Sequence, residues 1–113
     1  MRPKKVLVAD DSPLMHRMYE VMLRQYPVVY ASDGRQALDR LRDHDDADLV
    51  LLDANMPHMN GSEFLTELRS RDELRHIRVI VVTSNGEETL AGADATIVKP
   101  FSTDDLIAKI DAL

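Results

Sequence analysis

Polar side chains end several apolar, strand-forming stretches of this 113-residue chain. Asp10 and Asp11 come directly after KVLVA, and Asp53 ends DLVLLD. A hydroxyl at Thr83 and an ammonium at Lys99 end two later apolar stretches. Adjacent carboxylates at the end of a buried strand repel each other and lose hydration, so they require a positive partner.

The apolar period alternates between that of a strand and that of a helix along the chain. We predict strands over residues 5–9, 28–32, 48–53, 78–84 and 94–99, and helices within residues 12–26, 34–44, 61–70 and 102–113. Strands that alternate with helices predict an α/β fold, a doubly wound five-stranded parallel sheet with helices on both faces. In the first helix, Leu14, Met18, Val21 and Met22 are spaced as one face and are expected to pack on the core.

Parallel strands end at one edge of a sheet, and ligands bind outside that edge. The five polar residues named above should therefore converge. Lys99 supplies one charge against three carboxylates, which favours a divalent cation such as Mg²⁺. A metal, a lysine and a hydroxyl around a carboxylate are the groups that stabilise a phosphoryl group during transfer. Asp53, at the end of the most buried strand, is the candidate nucleophile.

Composition excludes several other classes of protein. The net charge of -6 argues against direct nucleic-acid binding, and the absence of cysteine excludes disulfides and thiolate sites. No apolar run approaches the roughly 20 residues of a membrane span, so a cytoplasmic location is expected. The length predicts a single domain over residues 1–113. His16, His44, His58 and His76 show no ligand spacing, and no role is assigned to them.

Four motifs, VADDS, LLDANMPHMNG, VVTS and IVKPF, resemble in this order the receiver domain of two-component response regulators, chemotaxis regulators included. The resemblance covers essentially the whole chain and implies a flavodoxin-like sheet with strand order 2-1-3-4-5. It implies that Asp53 accepts the phosphoryl group. It also implies that Mg²⁺ is held by Asp11, Asp53 and the backbone carbonyl of Asn55, with Asp10 contacting the metal through water.

The resemblance assigns roles to the remaining polar residues and to partners. Thr83 would bond a phosphoryl oxygen, Lys99 would pair with the phosphoryl group, and the Lys99–Pro100 bond would be cis. The donor would be a sensor histidine kinase or a histidine phosphotransfer protein, and an unknown downstream protein would read the result. The domain would catalyse only its own phosphorylation and dephosphorylation, so it would not be an enzyme. We expect a monomer.

Two features depart from the receiver pattern. Residues 84–95, SNGEETLAGADA, are too few for a full fourth helix, and we predict a loop or a short turn there. Most receivers carry an aromatic residue three positions before the lysine, where this chain has Thr96. A threonine cannot fill the same space. We therefore expect that phosphorylation orders residues 84–95 or that partners bind another face.

Three functions stay open on the sequence. The first is a phospho-accepting switch of a two-component or phosphorelay system that changes partner binding. The second is a receiver-like scaffold that binds partners without phosphorylation, favoured by the short segment and Thr96. The third is a Mg²⁺-dependent phosphatase of the haloacid dehalogenase type. That class carries Asp-x-Asp after its first strand, whereas this chain has the adjacent aspartates of ADDSP.

Overall fold

Strands and helices alternate in the computed structural model, which describes residues 4–54, 56, 59–86 and 90–113. The strands are β1 (Val6–Ala9), β2 (Val28–Ala31), β3 (Leu49–Asp53), β4 (Arg78–Thr83) and β5 (Ala95–Val98). The helices are α1 (Pro13–Met22), α2 (Gly34–Asp43), α3 (Gly61–Ser70) and α4 (Thr103–Asp111). A 3₁₀ turn over Asp72–Leu74, between α3 and β4, was not predicted. Every predicted strand and helix is confirmed within a few residues.

The strands form one parallel sheet in the order β2-β1-β3-β4-β5, as expected of a flavodoxin-like fold. The order of the strands reverses between β1 and β3, because β2 is added on one side of β1 and β3, β4 and β5 follow on the other side. In such sheets, ligands bind at this point of reversal. Alternate residues of each strand lie on opposite faces of the sheet and contribute to two core layers. One layer packs against α2 and α3, and the other packs against α1 and α4.

Polar caps begin the helices close to the strand ends. The Ser12 hydroxyl accepts the Met15 N–H at the start of α1, and Asp33 accepts the Gln36 N–H at the start of α2. Asn60 begins α3 with a reciprocal capping box. These bonds satisfy N–H groups that have no partner within the helix. They also fix the short connections that carry the residues of the carboxyl edge.

The predicted core face of α1 is wrong in part. Met22 is buried, but Leu14 is 65% exposed, Met18 44% and Val21 61%. The helix packs on the sheet through Tyr19 instead, which is 1% exposed. The helix has two neighbouring apolar stripes, and a period of 3.6 residues reveals a stripe without showing which one faces the sheet.

The connection between β4 and β5 carries no helix in its described residues, 84–86 and 90–94, in agreement with the predicted loop. The short turn that the sequence also allowed would involve residues 87–89, which lie outside the described residues. Leu90 to Ala93 form a β-turn, closed by a 3.2 Å hydrogen bond from the Ala93 N–H to the Leu90 carbonyl. Gly92 stands at the third position with φ +93°, a value that a type II turn requires and that glycine adopts readily. None of the described helices is long and apolar enough to cross a membrane.

Candidate functional site

Three carboxylates meet at the carboxyl edge of the sheet. The register pairs Ala9 of β1 with Leu52 of β3, so the next residues, Asp10 and Asp53, stand side by side. Asp11 follows Asp10 in the turn to α1. One oxygen from each of the three carboxylates lies within 4.8 Å of the others. The predicted convergence of these acids is therefore found.

Asp10 is the most buried member of the cluster, with 2% of its surface exposed. Its Oδ1 accepts the Ser12 N–H at 2.9 Å. Its buried Oδ2 has no hydrogen-bond partner among the described residues. Burial raises the pKa of Asp10, although the Ser12 hydrogen bond and the Lys99 charge both lower it. A buried carboxylate oxygen without a donor is costly, which indicates that the site is built for a ligand.

The donor set fits a hard divalent cation. Carboxylate oxygens are the preferred ligands of Mg²⁺. A cation among the three carboxylates would relieve their mutual repulsion and give Asp10 Oδ2 a partner. Asn55, whose backbone carbonyl was the fourth predicted ligand, lies outside the described residues.

Thr83 ends β4, the neighbour of β3, and Lys99 directly follows β5, the next strand in the sheet. Thr83, at the end of β4, is 2% exposed, and its Oγ1 accepts the Asn85 N–H at 3.0 Å. Lys99 follows β5, and its backbone N–H donates to the Thr83 carbonyl at 2.8 Å. The Lys99–Pro100 bond is cis, as the resemblance implied. The strand ends thus bring the hydroxyl and the ammonium to the same edge as the acids.

Tyr19 of α1 is buried in the core layer that packs against α1 and α4, close enough to Asp10 and Asp53 to be affected by their charges. Burial raises the pKa of Tyr19, and the charges of Asp10 and Asp53 raise it further. Its ring stacks on Phe101, with 6.4 Å between the ring centroids. Tyr19 is therefore a buried, neutral phenol whose ring joins α1 to the segment after Lys99.

His16 is a residue of this region that sequence reasoning missed. Its Nε2 lies 2.6 Å from the backbone oxygen of Asp10, and because a carbonyl only accepts, Nε2 carries the proton. The ring also contacts Tyr30 of β2, with 5.0 Å between centroids. The signal was position: side chains of the first turn of a helix point back towards its N-terminus, and the N-terminus of α1 adjoins Asp10.

Comparisons with known proteins agree with this geometry. The chain matches the family described as "Response regulator receiver domain" over residues 6–111. Chemotaxis protein CheY-3 of Vibrio cholerae serotype O1 is 35% identical over 118 residues, covering 96% of this chain and 90% of that protein. Hybrid signal transduction histidine kinase D of Dictyostelium discoideum is 33% identical over 112 residues, covering 93% of this chain and 7% of the kinase.

Solved structures show the same similarity. The structure of chemotaxis response regulator CheY4 of Vibrio cholerae has a TM-score of 0.89 at 29% sequence identity, covering 97% of this chain and 98% of that one. The chain therefore belongs to the response regulator receiver domain family, the phosphoryl-accepting signalling domains of two-component systems. The family and the flavodoxin-like fold were both predicted correctly.

Proposed function

We propose that this chain is a phosphorylation-dependent switch in which Asp53 accepts a phosphoryl group from a phosphohistidine of a sensor histidine kinase or phosphotransfer protein. The observation that carries the proposal is the position of Asp53, at the carboxyl end of β3 and within 4.8 Å of oxygens of Asp10 and Asp11. An Asp53 oxygen forms the new P–O bond while the P–N bond to the donor breaks, and the imidazole nitrogen retains that electron pair.

We assign metal binding to Asp11, Asp53 and the Asn55 carbonyl, with Asp10 acting through water. The buried Oδ2 of Asp10, which has no hydrogen-bond partner in the described part of the chain, supports this assignment. Bound Mg²⁺ would neutralise charge on the phosphoryl oxygens. Lys99 adds one more positive charge from the end of β5, and the Thr83 hydroxyl is assigned a hydrogen bond to a phosphoryl oxygen.

The output of the switch is a change in affinity for a downstream protein. In this proposal the chain catalyses only its own phosphorylation and dephosphorylation, so it is not classed as an enzyme. Thr96, half-buried in β5, stands where receivers usually carry an aromatic ring. The signal must therefore leave the site through residues other than that ring.

The test is intact mass after incubation with Mg²⁺ and acetyl phosphate, with Asp53→Asn and metal-free samples as controls. We expect one phosphoryl adduct in the native chain and none in either control. Asp53→Asn is close in shape to the native residue but lacks the nucleophilic carboxylate oxygen, so it separates loss of chemistry from loss of fold.

A folded native chain that binds Mg²⁺ but acquires no adduct would contradict the proposal. It would favour the constitutive scaffold, in which the acidic site is kept but not used. An adduct that persists in Asp53→Asn would place the acceptor on another residue. Turnover of a generic phosphoester would favour the phosphatase.

A further inference from the structure

Arg69, in the last turn of α3, anchors the connection between β4 and β5. All five N–H groups of its guanidinium donate to four acceptors. Nε and Nη2 both donate to the Gly92 carbonyl, at 3.1 and 2.8 Å, and Nη2 also donates to Asp94 Oδ2 at 2.9 Å. Nη1 donates to the carbonyls of Arg75 and Ile77, at 2.9 and 2.7 Å. One side chain thus joins α3, the entry to β4 and the turn before β5.

Asp94 fixes the same turn to the sheet. Its backbone N–H donates to the Val79 carbonyl at 2.9 Å, and its Oδ2 accepts the Val79 N–H at 2.8 Å. Gly92, held by Arg69, is the third residue of the turn from Leu90 to Ala93. The position of this turn relative to α3 and β4 is therefore determined by hydrogen bonds on both sides.

Leu90, the first residue of the turn, packs where the two ends of the connection between β3 and α3 meet. A β-carbon placed on Gly61 would lie 2.9 Å from Leu90 Cδ1 and 3.2 Å from the Ala54 carbonyl oxygen, so Leu90 and Ala54 both lie close to Gly61. The Gly61 N–H donates to the same Ala54 carbonyl at 3.4 Å. Ala54 follows Asp53 directly in the chain and precedes the assigned metal ligand Asn55.

We propose that Leu90 is a positioning residue for the acidic site. Held by the Arg69 anchor, it covers the hydrogen bond between Gly61 and Ala54 and so fixes Ala54, the residue that directly follows Asp53. A 3.4 Å hydrogen bond is weak, and water competes for it unless an apolar group excludes solvent. The inference rests on the proposed function for its importance to phosphorylation, while its effect on the connection and on metal affinity is independent of phosphoryl transfer.

The position of Leu90 also suits transmission of a structural change from the acidic site to the turn. Both the turn and the Ala54–Gly61 contact lie on the α3 side of the sheet, where Leu90 packs on the core layer that includes Phe64 and Leu65. A shift of the chain after Asp53 would press directly on Leu90.

The experiment compares Leu90→Ala with Leu90→Met and with Ile107→Ala. Ile107 is a matched control because it is also half-buried, but it packs on the opposite core layer. We expect Leu90→Ala to speed hydrogen exchange of the Gly61 amide in metal-free protein by about tenfold. We also expect it to weaken Mg²⁺ binding, measured by calorimetry, by about tenfold, as loss of a supporting group around a metal ligand does. Leu90→Met preserves most of the volume and should restore both values.

Two results would overturn the inference. One is a Leu90→Ala protein whose Gly61 exchange and Mg²⁺ affinity equal those of the native chain. The other is an equal change in Ile107→Ala, since that would show a general loss of stability. If Leu90→Ala changes both values selectively but the native chain accepts no phosphoryl group, the inference is supported and the proposed function fails.

Discussion

Polar groups are satisfied differently in two regions of the molecule. One is the acidic edge, formed by Asp10, Asp11 and Asp53, and the other is the Arg69 anchor, formed by Arg69 and the acceptors of its guanidinium. At the edge, three carboxylates meet and the buried Oδ2 of Asp10 has no hydrogen-bond partner among the described residues. At the anchor, every N–H of the Arg69 guanidinium donates to an acceptor. The acids lie at the carboxyl ends of the strands, whereas the anchor lies beside the residues that precede β4 and β5.

This difference separates a site from its support. A polar group left without a partner inside the protein costs free energy, so its retention indicates a function supplied by a ligand. A fully bonded group rigidifies its surroundings and has no remaining capacity for a ligand. Burial of the Asp10 carboxylate thus lowers the stability of the protein, whereas the hydrogen bonds of Arg69 raise it. Substitutions in the two regions should therefore change the free energy of unfolding with opposite signs.

Of the substitutions in these two regions, Arg69→Gln is expected to have the largest effect. Glutamine cannot reach all four acceptors, so the carbonyls of Ile77 and Gly92 lose charged donors. Because Arg69 is about one-quarter exposed, water replaces part of this loss, and we expect the free energy of unfolding to fall by about 2 kcal/mol. Urea denaturation measures this value.

Arg71→Gln is the matched control for Arg69→Gln. Arg71 is two residues further along the chain and makes a 3.6 Å ion pair with the half-exposed Glu67. Such surface pairs contribute at most about 1 kcal/mol, so stability should hardly change. Equal losses in the two variants would show that the anchor is no more than another surface charge.

Asp10→Asn should have the opposite and somewhat smaller effect. The amide has the same shape and still accepts the Ser12 N–H, but the buried charge is removed, along with its repulsion from Asp11 and Asp53. We expect metal-free protein to gain about 1 kcal/mol in urea denaturation. Mg²⁺ should stabilise the native chain and have less effect on the variant. A loss of stability in metal-free Asp10→Asn would contradict this account of the site.

The pH dependence of stability follows from the same carboxyl group. Burial raises the pKa of Asp10 above its ordinary value of 3.8. The folded protein therefore binds this proton more tightly than the unfolded chain does. Its stabilising contribution is full below pH 3.8 and is lost as the pH rises through the folded value. In Asp10→Asn this component should be absent, and the stability of metal-free variant and native chain should converge on acidification.

The acidic edge was predictable because each of its parts is local. A polar residue at the end of an apolar strand is visible in a few letters of sequence, and parallel pairing then brings the strand ends together. Asp10, Asp11 and Asp53 lie where this reasoning placed them. The short connection between β4 and β5 was also predictable, because chain length alone excluded a full helix.

The Arg69 anchor was not predictable in the same way. Its bonds join Arg69 to residues 6 to 25 positions away, and four of the five go to backbone carbonyls, which carry no sequence signal. The contact of Leu90 with Gly61 also spans two separate connections. Such contacts depend on how elements pack, whereas strand ends depend on where elements stop.

The core face of α1 was predicted only in part, and its exposed residue Val21 gives the smallest expected effect. Val21 and Met22 are adjacent, and the sequence assigned both to the core, but Val21 is 61% exposed and Met22 is 9% exposed. Val21→Ser should change the free energy of unfolding by no more than about 0.5 kcal/mol, the range of surface substitutions. Met22→Ser removes a buried side chain and should cost about 2 to 4 kcal/mol. Equal losses of unfolding free energy in urea denaturation would support the core face that the sequence predicted. A clear difference would show that Tyr19 and Met22 define the inner side of the helix.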